Sequence, residues 1–325
     1  MSTEFDIIER FFLARAQARP DLLLGIGDDA ALTRIPAGVD LVTATDALVE
    51  GTHFLAGAAA RSVGHRCLAV NLSDIAAMGA RPLWASLALG MPVADQVWVS
   101  EFADGFFALA EQFDVSLIGG DTVRAGLFAA VTVQGEVPQG SAIRRSGARA
   151  GDLVFVTGHL GDAAAGRMLA AGELAASAGA TGKSHAQALG ERFFFPRPRV
   201  QAGLDLRGRA TAMIDVSDGL AVDLGRLLAA SGLAADIRIE DLPLSDSLRV
   251  SVDEAQAIEL ALCGGEDYEL CFTLSADHAA EIPGLAAQWG HPVTCIGAVV
   301  AGAGARFSRH GAAYTLSASS FEHFV

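Results

Sequence analysis

The sequence predicts an α/β (α+β) protein built as two domains, and three observations carry the prediction. The chain of 325 residues exceeds one typical core's worth. Its composition is 51% apolar but only 7% aromatic, with 36 glycines, which suits small-residue helices packed closely on sheets. Runs of β-branched residues alternate along it with stretches whose apolar residues recur at helical spacing.

Taken in order, the first distinctive stretch is Gly25-Ile26-Gly27-Asp28-Asp29-Ala30. Its spacing matches the G-x-G-x-x-A turn of dinucleotide-binding proteins, yet that turn offers bare N–H groups to an anion, and two aspartates would repel it. "DLVTATDAL" (40–48) predicts a strand ending near Asp46, and a helix follows over 62–78, stopped by Gly79 and Pro82. "LWASLAL" (83–89) predicts a strand, 94–113 a helix, "VSLIG" (115–119) a short strand and "LFAAVTVQGEV" (127–137) a longer one. The polar, glycine-bearing "RRSGARAGD" (144–152) marks the boundary, giving domains 1–147 and 148–325. Beyond it come a strand "LVFVTG" (153–158), a helix over 163–172, a surface connection over 171–190 rich in Ala, Gly and Ser, and a strand "ATAMIDV" (210–216). A helix over 217–232, a strand over 234–241, helices near 253–262 and 277–289, and strands "YELCFTL" (268–274) and "VTCIGAVV" (293–300) complete the second domain.

The bulk properties exclude several classes of function. A formal charge of −15 leaves no basic stripe for nucleic acid. Cys67, Cys263, Cys271 and Cys295 have no C-x-x-C spacing and predict buried free thiols in a reducing compartment. The acidic start "MSTEFDIIER" has no signal-peptide core, and no apolar run approaches the roughly 20 residues that span a bilayer, so the expectation is a cytoplasmic protein without membrane contact. "TGKS" (181–184) lacks the preceding strand and first glycine of a P-loop.

The acids are more informative. Asp28, Asp29, Asp46, Asp74, Asp121, Asp215 and Asp218 stand at junctions between apolar elements, where α/β proteins keep their chemistry. Each alone reads equally as a turn or cap; Asp215 would end a strand and Ser217 would cap the next helix. If several converge, like charges about 4 Å apart cost on the order of 4 kcal/mol at an effective dielectric of 20, and cations must offset that cost. Hard oxygen donors without histidine or cysteine at ligand spacing suit Mg²⁺, which takes one or two carboxylates together with substrate phosphates. Glycine turns in "GIGDD", "GGDT" and "GGEDYE" would bring carboxylates and N–H groups up to a ligand. Asn71 and Asp74 share a helix face, and His53 in "EGTHF" lies beside this constellation.

With "GIGDDAAL", "TDALVEGTHF", "AVNLSDIAAMGARP", "IGGDTVR", "RSGARAGD", "VTGHLGDAAAG", "IDVSDGLAVDLG" and "GGEDYELCF" in this order, the chain resembles the thiamine-monophosphate kinase family of the aminoimidazole-ribonucleotide-synthetase-like superfamily of ATP-dependent enzymes. The resemblance runs from about residue 5 to the "SSFEHF" tail. It implies transfer of the ATP γ-phosphoryl group to thiamine monophosphate by a homodimer, whose N-terminal domains pair and whose C-terminal α/β domain closes a cleft. By motif, Asp29, Thr45, Asp46, Asp74, Asp121, Asp215 and Asp218 would bind several Mg²⁺ ions, while Gly120, Asp121, Arg145 and Ser217 would meet ATP. His53, Glu266 and Phe321 would line the thiamine monophosphate pocket, with Asp46, Asp121 and Arg145 serving the chemistry. Ala44 departs from relatives that carry a hydroxyl residue there, leaving a main-chain carbonyl as the donor, and Phe321 replaces a tyrosine or tryptophan while keeping a stacking face. Sister enzymes fit less well: residues 1–28 hold neither the Cys nor the Lys of a selenophosphate synthetase, and the chain lacks the cysteine-bearing tail of a hydrogenase-maturation protein. A non-catalytic metal- or nucleotide-binding protein on the same scaffold is the alternative from another class.

Overall fold

A computed structural model describes residues 4–176 and 179–316. The chain divides into two compact units, Met1–Ile75 with Ala80–Gly140, and Ala76–Gly79 with Ser141–Val325.

In the first unit a short helix α1 (Glu4–Ile7) precedes a two-stranded hairpin, β1 (Leu22–Leu24) and β2 (Leu32–Thr33). Then follow β3 (Val39–Val49), α2 (Ala60–Ala77), β4 (Arg81–Met91), α3 (Gln96–Gln112), β5 (Ser116–Arg124) and β6 (Phe128–Pro138). The sheet order is β3-β6-β4-β5, with β4 and β5 parallel and the other pairs antiparallel. Asp95 caps α3 by accepting from the N–H groups of Val97 and Trp98, and Val99, Phe102, Phe106 and Leu109 form its buried stripe. Along β6 buried residues alternate with half-buried ones, as a strand with one face on the core requires. β3 is one of the two edge strands and is mostly uncovered.

The second unit contains β7 (Leu153–Thr157), α4 (Asp162–Ala170), α5 (Gly179–Phe194), α6 (Val200–Leu206), β8 (Ala212–Val216), α7 (Leu220–Ser231) and β9 (Ala234–Arg238). It continues through α8 (Asp246–Ser251), α9 (Glu254–Cys263), β10 (Glu269–Leu274), α10 (Ala276–Ala279), α11 (Ile282–Trp289) and β11 (Val293–Val300), and closes with β12 (Gly304–Arg309) and β13 (Ala312–Tyr314). Its seven strands are ordered β13-β12-β9-β11-β7-β10-β8, all antiparallel except β9 with β12. Leu220, Leu224, Leu227 and Leu228 recur on one side of α7 and are fully buried against the sheet, and Gly232 in the left-handed conformation ends the helix.

Three expectations change. The stretch over 171–190, read as a connection from its Ala, Gly and Ser, is largely the helix α5, which buries Leu189 and Phe193, four residues apart, beside α4. The helix over 277–289 is two short helices, with Pro283 in the first turn of the second. The strand ending at Gly119 continues to Arg124, because pairing with β4 carries it through both glycines.

A buried ionic group holds the second unit's layers together. Glu269, with no solvent exposure, is bonded by the guanidinium groups of Arg192 and Arg199, the latter's Nε at 2.6 Å, and by the Thr157 hydroxyl at 2.7 Å. Burial opposes the charge on Glu269, but Arg199 and Arg192 outweigh it and leave its carboxyl below the ordinary value. Asp267 nearby is also fully enclosed; burial raises its carboxyl well above the usual range, against the bond it accepts from the Gly161 N–H at 2.8 Å. Glu269→Gln removes the carboxylate that the two arginines share and is expected to cost about 3–5 kcal/mol. Chemical denaturation checks this, and a loss under about 1 kcal/mol would contradict it.

Candidate functional site

In the first unit, the acids sit where backbone geometry fixes them. Asp28 and Asp29 occupy the exposed connection of the β1–β2 hairpin, where the Asp29 N–H donates to Asp28 Oδ1 at 2.8 Å. A strand, not a helix, follows this turn, so the dinucleotide-binding reading has no structural counterpart. Leu22 and Ala31, on either side of the turn, pack on Leu83, Trp84 and Ile118. Arg19 is bonded to Asp21 through both carboxylate oxygens and to the Asp114 carboxylate at 2.8 Å, which anchors the chain entering the hairpin.

Thr45 and Asp46 are neighbours on β3 and therefore project to opposite faces of the sheet. Thr45 pairs across the sheet with Thr132, and their hydroxyls are 2.8 Å apart, whereas the half-buried Asp46 lies opposite the buried Val131. One ion therefore cannot take both side chains, and a Thr45 donor to an ion on Asp46 has to be its carbonyl. Asp74 is half-buried on α2, one turn after Asn71, which is fully buried and donates to the Cys67 carbonyl at 3.0 Å. His53 closes a turn after β3; its Nδ1 accepts from the Val49 N–H at 3.1 Å, so the neutral ring carries its proton on Nε2. The buried Arg66 holds this turn by donating to the His53 carbonyl at 3.1 Å.

Gly120 and Asp121 lie within β5 rather than in a turn, a correction to the "GGDT" reading. Gly120 has φ +151, and a Cβ there would stand 1.8 Å from the Leu87 carbonyl oxygen on the paired β4. Only glycine lets the two strands meet at this point, and the exposed Asp121 is the next residue. Gly119 to Thr122 line a small pocket of about 40 Å³ together with Ile26 of the acidic hairpin. The structure thus brings the "GIGDD" and "GGDT" segments to one place.

The second unit gathers its own set. Ile214 and Val216 of β8 point into the core, so Asp215 faces the other side, buried and paired with Leu270. After β8 the Ser217–Gly219 turn is joined to the "GGEDYE" loop: the Glu266 N–H donates to the Ser217 carbonyl at 2.7 Å and the Tyr268 N–H to the Val216 carbonyl at 2.9 Å. Gly265 (φ +67) makes this possible, since a Cβ there would lie 2.6 Å from the Ser217 carbonyl oxygen. Glu266 itself has φ +66, a costly conformation for a non-glycine residue, and its carboxylate accepts from the Tyr268 hydroxyl at 3.3 Å. Arg145 is exposed, and its carbonyl accepts from Ser231.

Ser217 does not cap α7. The N-cap is Gly219 without a side-chain bond, and Asp223 in the first turn reaches back to accept from the N–H groups of Ser217 at 3.0 Å and Asp218 at 2.9 Å. Burial pushes the Asp223 carboxyl up to about 6, although those N–H groups and Arg226 pull the other way. The sequence reading missed Asp223 and Arg226; the available signal was a charged residue three positions after Leu220, on the apolar face of a helix. Phe321 lies outside the described residues.

Among the described residues no three His, Cys, Asp or Glu side chains stand close enough to hold a metal ion between them. The donor set is nevertheless oxygen only and partly exposed, which fits an Mg²⁺ that keeps waters and takes substrate phosphate, not a closed protein cage.

Comparisons with known proteins show the family. Models of the AIR synthase related protein N-terminal and C-terminal domains match residues 27–137 and 149–309. Thiamine-monophosphate kinase of Salmonella typhimurium strain LT2 is 43% identical over 323 residues, covering 99% of this chain and 98% of that one. The crystal structure of thiamine-monophosphate kinase from Stenotrophomonas maltophilia K279a superimposes with a TM-score of 0.87 at 45% identity, over 96% of this chain and 98% of the other. A structure of AaThiL complexed with AMPPCP and TMP matches with a TM-score of 0.78 at 33% identity, over 92% of each chain.

The contact at Gly120 sets a test. Gly120→Ala is expected to cost about 3 kcal/mol, the upper part of the overpacking range, whereas Gly119→Ala, whose Cβ would meet nothing within 4 Å, should stay within about 0.5 kcal/mol. Equal unfolding midpoints for the two variants would contradict the close approach.

Proposed function

Because the chain belongs to the AIR synthase related family and, within it, to the thiamine-monophosphate kinases, we infer that it transfers the γ-phosphoryl group of ATP to thiamine monophosphate, giving thiamine diphosphate and ADP. The observation that carries this reading is the similarity to kinases of that activity along nearly the whole chain, through both domains.

The chemistry suits the residues. The acceptor is a phosphate with a second pKa of about 6, so its nucleophilic oxygen is already largely ionised at neutral pH and no general base is needed. What the protein must do is position two polyanions and suppress their repulsion. Mg²⁺ ions on Asp29, Asp46, Asp74, Asp121, Asp215 and Asp218, with Thr45 through its carbonyl, would supply that charge neutralisation. Arg145 offers a planar fork for bidentate phosphate contact, and Gly120 and Ser217 are assigned to ATP by their motifs. His53, Glu266 and Phe321 are assigned to thiamine monophosphate: Glu266 is held on a fixed backbone, and Phe321 keeps the stacking face that the sequence resemblance requires.

A homodimer is part of the reading. β3 is an 11-residue edge strand carrying exposed Leu41 and Val49. A second copy would cover this apolar surface. Placement in the cytoplasm is part of the same reading, which the four free cysteines suit.

Purified protein given Mg-ATP should release ADP only when thiamine monophosphate is added, with stoichiometric thiamine diphosphate. ADP without that product, or no turnover, would contradict the assignment. Asp46→Asn and Asp121→Asn should each lower kcat by about 10²-fold or more with an unchanged unfolding midpoint. Near-native turnover of both at saturating Mg²⁺ would remove the metal roles.

A further inference from the structure

The Ser217–Asp218 turn carries a cation of its own. Arg226, one turn after Asp223 on α7, places Nη1 2.5 Å from Asp218 Oδ2 and 2.8 Å from Asp223 Oδ1. Asp223 is 1% exposed and has its other oxygen committed to the Ser217 and Asp218 N–H groups, so the Asp218 carboxylate stands beside a buried carboxylate that cannot move away. Two acids this close repel unless a positive charge stands between them. Arg226 supplies it from a half-exposed position, with 47% of its side chain open to solvent, and a long side chain there can swing out without disturbing the core.

We propose that Arg226 is a positioning residue that acts as a resident counter-charge on Asp218: it holds the carboxylate in place before a divalent cation binds and is displaced by that cation, so it sets the metal concentration at which this part of the site fills. The inference rests on Asp218 being a metal donor in the proposed kinase. A purely structural ion pair predicts that its loss weakens the turn and the metal together; a displaced counter-charge predicts that its loss makes metal binding tighter.

The test is direct Mn²⁺ binding, followed by paramagnetic resonance of the free ion, on full-length protein with a non-hydrolysable ATP analogue and no thiamine monophosphate. Arg226→Met keeps the aliphatic stem and should lower the half-saturating Mn²⁺ concentration roughly fivefold, the ratio a half-exposed ion pair can carry. Arg226→Lys should restore the wild-type value. In an Asp218→Asn background the Arg226→Met shift should vanish, as a double-mutant cycle requires of a direct pair. An unchanged or higher half-saturation in Arg226→Met, or a shift that persists without the Asp218 carboxylate, would overturn the inference while leaving the kinase reading intact. Wild-type protein that takes up no Mn²⁺ would overturn the metal role of Asp218 and this inference with it, whatever the kinase assay shows.

Discussion

Backbone meeting backbone is the constraint on which the rest of this structure depends. At Gly120 two strands approach so closely that a Cβ would collide with the Leu87 carbonyl, and at Gly265 the acidic loop of the second unit rests on the Ser217 carbonyl in the same way. Asp121 and Glu266 are the residues that follow. Their places are set by main-chain contact, which is stiffer than side-chain hydrogen bonding. In the proposed kinase, charges that must not relax away around two phosphorylated molecules would be kept in place in this way.

The same economy shows in what lies behind the site. Asp267 and Glu269 belong to the loop and strand that carry Glu266, yet both turn inward: one takes the Gly161 N–H, the other two arginines. The outward acid is therefore carried on a segment anchored twice by inward ones. In the first unit Arg19, bonded to Asp21 and Asp114, does the corresponding work for the acidic hairpin.

Much of this was legible in the sequence because local rules and tertiary context agreed. β3 announced itself by β-branched residues, and α2 by a helical pattern ending at Gly79 and Pro82. The order of acidic motifs identified the family before any geometry was known. Where the two levels disagreed the sequence misled. Paired glycines at 119 and 120 look like a turn but sit inside β5, since a parallel neighbour supplies the pairing that glycine propensity denies. The Ala-rich stretch that became α5 hid its helical signal in Leu189 and Phe193. The pairing of Glu269 with Arg192 and Arg199 spans 77 and 70 residues, and only the fold creates it.

The proposal on which the kinase reading turns is that the aspartates of the acidic motifs, Asp46 and Asp121 among them, hold divalent metal for phosphoryl transfer. The number of Mn²⁺ ions bound per chain in the presence of a non-hydrolysable ATP analogue and thiamine monophosphate tests it most directly, for the wild type and for a variant carrying both Asp46→Asn and Asp121→Asn. More than one ion per wild-type chain and fewer in the variant are expected. The same number in both, or none in either, would contradict it.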